Sequence, residues 1–339
     1  MSRPDLLRTW IDPIVDDGEA LLSELRGRTV LVTGASGFVG TWVSALLLRL
    51  AERGVPLRLL ALARRPERLR ERLEGYLDLS PLEAVVCDLT DPSSPLPRAD
   101  LIVHAAGDVS VGGDRASLEA ILVRSVDRVA SRGAATGSER MVFVSSGAVY
   151  GPQPADCPGI EESFPGAPDS CGSDFYGNAK RWAETVALTR TAATPTEVVV
   201  ARAFAFSGPF LPLGGRFALG QFVGDGLAGG PIRVRGTGEP VRSYLDGADM
   251  AFWLLTLLLR GRKGRCYNVG SPLPLRLIEA ARRVAGLLRC EVVVEGGPDG
   301  ALRYVPSTER AERELGLRPT VDFETSVERM RIWNGGTFP

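Results

Sequence analysis

Histidine is almost missing from this chain of 339 residues: His104 is the only one. Its scarcity excludes His-rich metal sites and any scheme needing two histidines, and leaves little room for a Ser-His-Asp triad. Cysteines number five (Cys87, Cys157, Cys171, Cys266 and Cys290), and none stands in a CxxC pair. An odd, widely spaced set fits reduced thiols better than a disulfide framework or a zinc site, so no metal is expected. A basic surplus is lacking too. Lys plus Arg is 40 and Asp plus Glu is 41, a net charge of −1. Proteins that track phosphate backbones usually carry excess positive charge, so nucleic acid is not an expected partner. Nor is there a long hydrophobic run. The longest, residues 250–259, is about half of the roughly 20 residues a spanning helix needs. The first residues, MSRPDLLRTWIDPIVDDGEALL, are polar and acidic, unlike a secretory signal. These absences predict a cytoplasmic protein with no membrane attachment. What remains is ordinary: 44% hydrophobic and 24% charged residues, enough apolar surface to offset the entropy of ordering and to exclude a largely disordered chain.

Residues 1–27 read as a helical extension. Leu6, Leu7, Trp10, Ile14, Val15, Leu21, Leu22 and Leu25 recur at helical spacing. Pro4 and Pro13 are expected to break it into two pieces. Strands and helices then alternate. Thr29–Thr33 (TVLVT) is a β-branched run that stops at glycine, as a buried parallel strand does. Residues 57–63 (LRLLALA), 84–87, 101–104, 141–145 and 198–201 are further strands; helices are expected over 41–50, 66–77, 116–136 and from about Tyr176. This predicts an α/β, doubly wound parallel (Rossmann) sheet over 28–205. Gly and Pro rise after about residue 205, which points to a smaller mixed α/β substrate lobe over 206–339. Ligands of such sheets bind beyond the carboxyl ends of the strands, and the chemically distinctive residues sit there.

Directly after the first strand comes Thr33-Gly34-Ala35-Ser36-Gly37-Phe38-Val39-Gly40. Gly34 permits a tight turn, Gly37 lets a pyrophosphate approach the backbone at a helix N terminus, and Gly40 lets helix pack on sheet. The second strand ends in Ala63-Arg64-Arg65, where NAD-preferring enzymes place an acid on the ribose 2′-hydroxyl. Arg64 and Arg65 instead suit a 2′-phosphate, so NADP is favoured over NAD. In Cys87-Asp88-Leu89, Asp88 and Leu89 are expected at the cofactor, with Asp88 placed to accept from the adenine amino group; the alternative for a lone Asp is to cap a turn. Ala105, Ala106 and Gly107 follow His104 and let a cofactor pass close to the backbone; His104 itself reads as structural. Finally, Ser145-Ser146-Gly147-Ala148-Val149-Tyr150-Gly151 ends a strand, and Tyr176-Gly177-Asn178-Ala179-Lys180 lies some 30 residues on. Tyr176 and Lys180, at i and i+4, share a helix face. The ammonium stabilises tyrosinate and lowers the phenol pKa from about 10 toward working pH, making Tyr176 a general acid or base. Ser146 is placed to bond the same substrate oxygen.

The order TGASGFVG, CDL, HAAG, VSSGAVYG, YGNAK resembles the extended short-chain dehydrogenase/reductase family, in its nucleotide-sugar epimerase/dehydratase branch. RAFAFSGP (202–209), GTGEPVRSYLDGAD (236–249), CYNVGS (266–271) and ELGLRP (314–319) extend the likeness over about residues 28–333. The resemblance implies that Ser146, Tyr176 and Lys180 are catalytic and that Tyr176 and Lys180 also touch the cofactor. It implies that Ser146 meets substrate, and that Arg242 and Arg303 hold the diphosphate of a nucleotide sugar. It further implies a homodimer through a four-helix interface that includes the helix of Tyr176.

The chain departs from that pattern in places. Dehydratases of the family carry an Asp-Glu pair after the Ser/Thr, and the decarboxylases keep the Glu. Here Gly147 and Ala148 occupy these positions. Ala205 replaces an Asn that usually contacts substrate. The expected activity is therefore an NAD(P)-dependent nucleotide-sugar 4-epimerase or 4-ketoreductase. The alternatives are a 4,6-dehydratase or decarboxylase using a base from elsewhere, such as Asp108 or Glu184, and a non-catalytic dinucleotide-binding regulator. Such regulators commonly lose the Tyr or the Lys, and this chain keeps both.

Overall fold

Apolar runs become strands wherever glycine, proline or charge stops them. β1 (Thr29–Thr33), β2 (Arg58–Ala63), β3 (Leu82–Val86), β4 (Leu101–His104), β5 (Arg140–Ser146), β6 (Glu197–Ala203) and β11 (Cys266–Val269) form one sheet in the order β11-β6-β5-β4-β1-β2-β3. The pairs β3–β2, β2–β1, β1–β4 and β4–β5 are parallel. The computed structural model describes residues 5–107, 118–169, 174–215, 217–299 and 302–335; Pro4, Asp108 and Cys171 lie outside these. The strand order reverses at β1. α2 (Phe38–Glu52) and α3 (Glu67–Leu73) make the connections among β1, β2 and β3, and α4 (Ser125–Thr136) and α5 (Phe175–Thr191) those among β4, β5 and β6; the right-handedness of such parallel connections puts the two sets on opposite faces. This is the doubly wound Rossmann-like sheet that the alternation predicts.

On the second face Leu31, Leu60, Ile102, Phe143 and Val200 meet Val126, Val129 and Ala130 of α4 and Ala179, Ala183 and Ala187 of α5. Alanines at every fourth position give α5 a flat stripe, so it lies close to the strands. The segment before α4 is a π-turn, Ala120–Arg124, where the sequence pattern predicts an ordinary helix. The Ser125 hydroxyl donates to the Ile121 carbonyl there.

Two compact units make up the chain: Met1–Val149 with Pro168–Arg202 and Met250–Tyr267, and Tyr150–Ala167 with Ala203–Asp249 and Asn268–Pro339. The sheet thus draws on more than residues 28–205. Its last strand, β11, follows α7 (Gly247–Arg260), whose residues 250–259 are the chain's longest apolar run. Trp253, Leu254, Leu255, Leu257 and Leu258 are all buried. A helix apolar on every side needs cover on every side, which explains why this stretch returns to the first unit. No helix among the described residues is long and apolar enough to cross a membrane.

Among the described residues the second unit holds three small sheets. β7 (Phe206–Ser207) pairs with β10 (Leu245–Asp246), and β8 (Ile232–Arg235) pairs with β13 (Val292–Gly296). β9 (Val241–Arg242) lies between β12 (Leu275–Arg276) and β14 (Arg303–Tyr304). Helices α6 (Ala218–Leu227), α8 (Leu277–Leu288), α9 (Glu309–Leu315) and α10 (Phe323–Trp333) complete it.

The N-terminal extension corrects an expectation. α1 runs unbroken over Asp5–Leu22 with Pro13 inside it. Pro13 and Thr9 are exposed, so the Thr9 carbonyl that loses its amide partner faces water. Leu6, Leu7, Trp10, Ile11, Ile14, Val15 and Leu22 are buried on the opposite face, each large side chain contributing about 1.5–3 kcal/mol. That outweighs the roughly 3 kcal/mol cost of an interior proline. Ion pairs fix the helix on α2: Arg8–Glu52 at 2.7 Å, Asp12–Arg49 at 2.7 Å and Asp16–Arg53 at 2.6 Å. Pro13→Ala restores the missing backbone bond on an exposed face. It is expected to stabilise the protein by about 1–3 kcal/mol, seen as a raised midpoint of thermal unfolding; an unchanged or lowered midpoint contradicts this account of α1.

Candidate active site

The glycines after β1 are needed where they stand. Gly34 has φ +66°, and a Cβ there would lie 2.8 Å from the Ala105 carbonyl oxygen and from Ala106. A Cβ on Gly40 would lie 2.3 Å from the Gly34 oxygen. The loop therefore presses on the chain leaving β4, at the point where the strand order reverses. Gly37 is the N-cap of α2; no side chain caps this end, and its first turn holds no acid. Phe38, Val39 and Gly40 begin the helix. A small-residue cradle ending in an uncapped helix N terminus fits a dinucleotide pyrophosphate.

One residue of this cradle escaped the sequence reading. The Arg72 guanidinium, on α3, donates from Nη1 to the Ser36 carbonyl at 2.6 Å and to Thr41 Oγ1 at 3.1 Å. It fastens the loop from behind. Burial, aided by the charge of Arg68, pulls its pKa down. No local motif marks Arg72; its role depends on how α3 returns over the loop.

Arg64 and Arg65 are exposed just past β2. Asp88 Oδ1 accepts from the Thr90 amide at 2.9 Å and the Thr90 hydroxyl at 2.7 Å. These bonds, with the charge of Arg64 helping, hold the carboxyl below its usual range. Oδ1 thus caps the turn; Leu89 beside it is buried. His104 is structural. Its Nδ1 lies 2.7 Å from Thr33 Oγ1, which also accepts from the Ala106 amide at 3.3 Å, so it ties β4 to β1. The ring stacks on Phe143 at 5.7 Å. Full burial, reinforced by the charge of Lys180, pushes it down to about 3.

Ser146 ends β5 and is 8% exposed; its Oγ accepts from the Ala148 amide at 3.1 Å. Tyr176 is half-buried in the first turn of α5. Lys180, one turn on, is 4% exposed. Its Nζ donates to the Val144 carbonyl at 2.9 Å and lies 5.2 Å from the centre of the Phe143 ring. A Cβ on Gly107 would come within 3.1 Å of that Nζ, so glycine after β4 leaves room for the ammonium. Gly177 has a parallel role, since a Cβ there would lie 2.5 Å from the Ala148 carbonyl oxygen. It lets the first turn of α5 close onto the turn after Ser146. Burial lowers Lys180 to about 8, with the Glu184 charge acting against it.

Glu184 is not available as a base. Its Oε1 accepts from Ser145 Oγ at 2.6 Å and from Arg202 Nε at 3.0 Å, and its Oε2 from Arg202 Nη2 at 2.7 Å. This buried pair argues against Glu184 as the base that a dehydrating enzyme would draw from elsewhere. Asp108, the other such candidate, lies outside the described residues. No cluster of acidic, His or Cys side chains that could hold a metal ion occurs among the described residues.

In the second unit Arg242 is half-buried, and its Nη1 donates to its neighbour's carbonyl, that of Val241, at 2.9 Å. Burial lowers its pKa, while Tyr244 and Tyr304 act the other way. No acidic side chain pairs with it among the described residues. Arg303 stands level with Val241 in the register of β14 and β9, and Tyr304 with Arg242. The pleat therefore sends Arg242 and Arg303 to opposite faces. Arg303 donates to the Pro158 carbonyl at 2.7 Å. Arg242 and Arg303 thus stand out of step in this register.

The model of the NAD dependent epimerase/dehydratase family matches residues 30–270. The chain belongs to that family. It is 25% identical over 307 residues to UDP-glucuronic acid decarboxylase 6 of Arabidopsis thaliana, covering 89% of this chain and 87% of that protein. Among solved structures it resembles DesIV, a dTDP-glucose 4,6-dehydratase from Streptomyces venezuelae with NAD and TYD bound, at TM-score 0.76 and 26% identity over 90% of this chain and 96% of that one. A UDP-glucose 4-epimerase from Thermotoga maritima shares the fold at TM-score 0.75 and 19% identity, over 90% and 98% of the two chains.

The buried imidazole gives a checkable pH dependence. The folded chain keeps His104 neutral where the unfolded chain, with its pKa near 6.5, takes up a proton. Stability therefore falls as pH drops from about 6.5 toward 3. Since His104 is the only histidine, one imidazole NMR signal reports it. That signal should not titrate between about pH 5 and 8 in the native protein; a midpoint near 6.5 would contradict the buried neutral ring.

Proposed function

We propose that this member of the family transfers a hydride to and from C4 of a nucleotide-diphosphate sugar, as a 4-epimerase or a 4-ketoreductase, and neither dehydrates nor decarboxylates it. One observation carries the proposal: the Ser146, Tyr176 and Lys180 set is complete on β5 and α5, while Gly147 and Ala148 follow Ser146 with no titratable group. When bound, the nicotinamide supplies the hydride acceptor and donor. The remaining work falls to the chain. Tyr176 moves the proton at the C4 oxygen. Lys180, an ammonium below about pH 8, stabilises the phenolate, and Ser146 Oγ bonds the same oxygen. Abstraction of the C5 proton requires a base within hydrogen-bond reach, and Glu184 is committed to Arg202 and Ser145. Arg242, half-buried with no acidic partner among the described residues, is the proposed ligand of the diphosphate. Trp182, 53% exposed on α5, lies on the helix through which a homodimer is proposed.

NADP is the proposed cofactor. Arg64 and Arg65 stand exposed where an acid would serve NAD. The NAD in DesIV favours the alternative, so the two arginines are the residues to test.

The purified protein with each cofactor should be incubated with UDP-, TDP-, GDP- and CDP-hexoses, their 4-keto derivatives, and UDP-glucuronate. The expected products are C4 epimers or reduced sugars without loss of water or carbon dioxide, and Tyr176→Phe should slow their formation by at least about 100-fold. Robust release of a 4-keto-6-deoxy sugar or a pentose would overturn the proposal in favour of the reactions named for the decarboxylase and DesIV. Replacing Arg64 and Arg65 together by Ala should weaken NADPH binding by roughly ten- to a hundredfold, the loss of a charge-assisted bond, and NADH binding much less. Equal losses would make the arginines plain surface charges.

A further inference from the structure

Only two lysines occur in the chain, Lys180 and Lys263, and only Lys180 is buried. The ionisable groups around it come from three elements. α5 supplies Glu184 and β4 supplies His104, with Tyr176 one turn back on α5, and β6 supplies Arg202, which pairs with Glu184. β5 contributes the Val144 carbonyl, the Phe143 ring and the hydroxyls of Ser145 and Ser146, and the chain after β4 contributes the backbone of Gly107. His104 is neutral. Glu184 is thus the carboxylate that opposes the burial of this ammonium.

Glu184 is itself 5% exposed and held on both oxygens. Ser145, the residue before Ser146, donates at 2.6 Å, and Arg202 closes a two-pronged pair at 2.7 and 3.0 Å. One carboxylate therefore joins the end of β5, which carries Ser146, to β6 and to the helix that carries Tyr176 and Lys180. We propose that Glu184 is a positioning residue that locks these three elements behind the reacting groups, its negative charge acting on Lys180 and partly balanced by Arg202. This deepens the hydride-transfer reading, because a tyrosine acting as acid or base needs its lysine charged.

The test needs no sugar. Protein labelled with ¹³C at the lysine ε carbons shows two side-chain signals, with exposed Lys263 as internal reference. Wild-type Lys180 should titrate near 8. Glu184→Gln keeps the shape and removes the charge, and should lower that midpoint by about half a pH unit or more. Arg202→Gln releases the carboxylate from its partner and should raise it. Glu184→Asp should fall between wild type and Glu184→Gln. Each of the first two variants breaks the same buried pair, so loosened packing predicts movement in one direction for both, whereas charge predicts opposite directions. An unmoved midpoint in Glu184→Gln, or a shift of the same sign in both, overturns the proposal. If Glu184→Gln fails to fold, the signs for Glu184→Asp and Arg202→Gln decide in the same way. Tyr176→Phe turnover tests the hydride-transfer reading separately, so a failure of either is recognised.

Discussion

An ammonium has to remain useful inside an apolar seam between sheet and helix, and much of the first unit is arranged around that demand. Burial alone favours the neutral amine. The Val144 carbonyl, the face of the Phe143 ring and the Glu184 carboxylate each push back. Small residues make the room: glycine at 107, where a Cβ would crowd the ammonium, glycine at 177, where a Cβ would collide with a backbone oxygen, and the alanine stripe that lets α5 sit low on the strands. The polar chemistry is thus held by an otherwise dry core, in which each dipole counts for more than it would in water.

The cofactor side follows a different logic. There the protein offers backbone rather than side chains. The turn at Gly34, the close contact with Ala105 and Ala106, and an uncapped α2 leave backbone amides at a helix N terminus open at the reversal of strand order. Arg72 and His104 work behind it, one gripping the Ser36 carbonyl and the other tying β1 to β4 through Thr33. Both act on the loop and the strands rather than face outward as ligands.

The sheet, its switch point and the placement of Ser146 at the end of β5 and of Tyr176 and Lys180 on α5 were legible in the sequence because each is written locally. A β-branched run ending at glycine is a strand, and i, i+4 spacing is a helix face. What escaped depends on residues far apart. Glu184 meets Arg202 from another element, Arg72 reaches a loop 36 residues earlier, and the opposite aspects of Arg242 and Arg303 follow from a strand register that neither residue encodes. Pro13 misled because the local rule for a helix breaker takes no account of a buried face that tolerates it. The return of residues 250–267 to the first unit was hidden for a similar reason: periodicity shows that a helix must be covered, not by what.

That return has a consequence for synthesis. β6 leaves the ribosome about 60 residues before β11, the strand that covers its outer edge. In that interval the growing chain carries an open, apolar strand margin of the kind that recruits other strands. Val198, Val199 and Val200 lie in it, all buried in the finished molecule. A nascent chain stalled before residue 266 would present this margin to its neighbours, so the tempo of elongation through the second unit bears on whether the first is completed or aggregates.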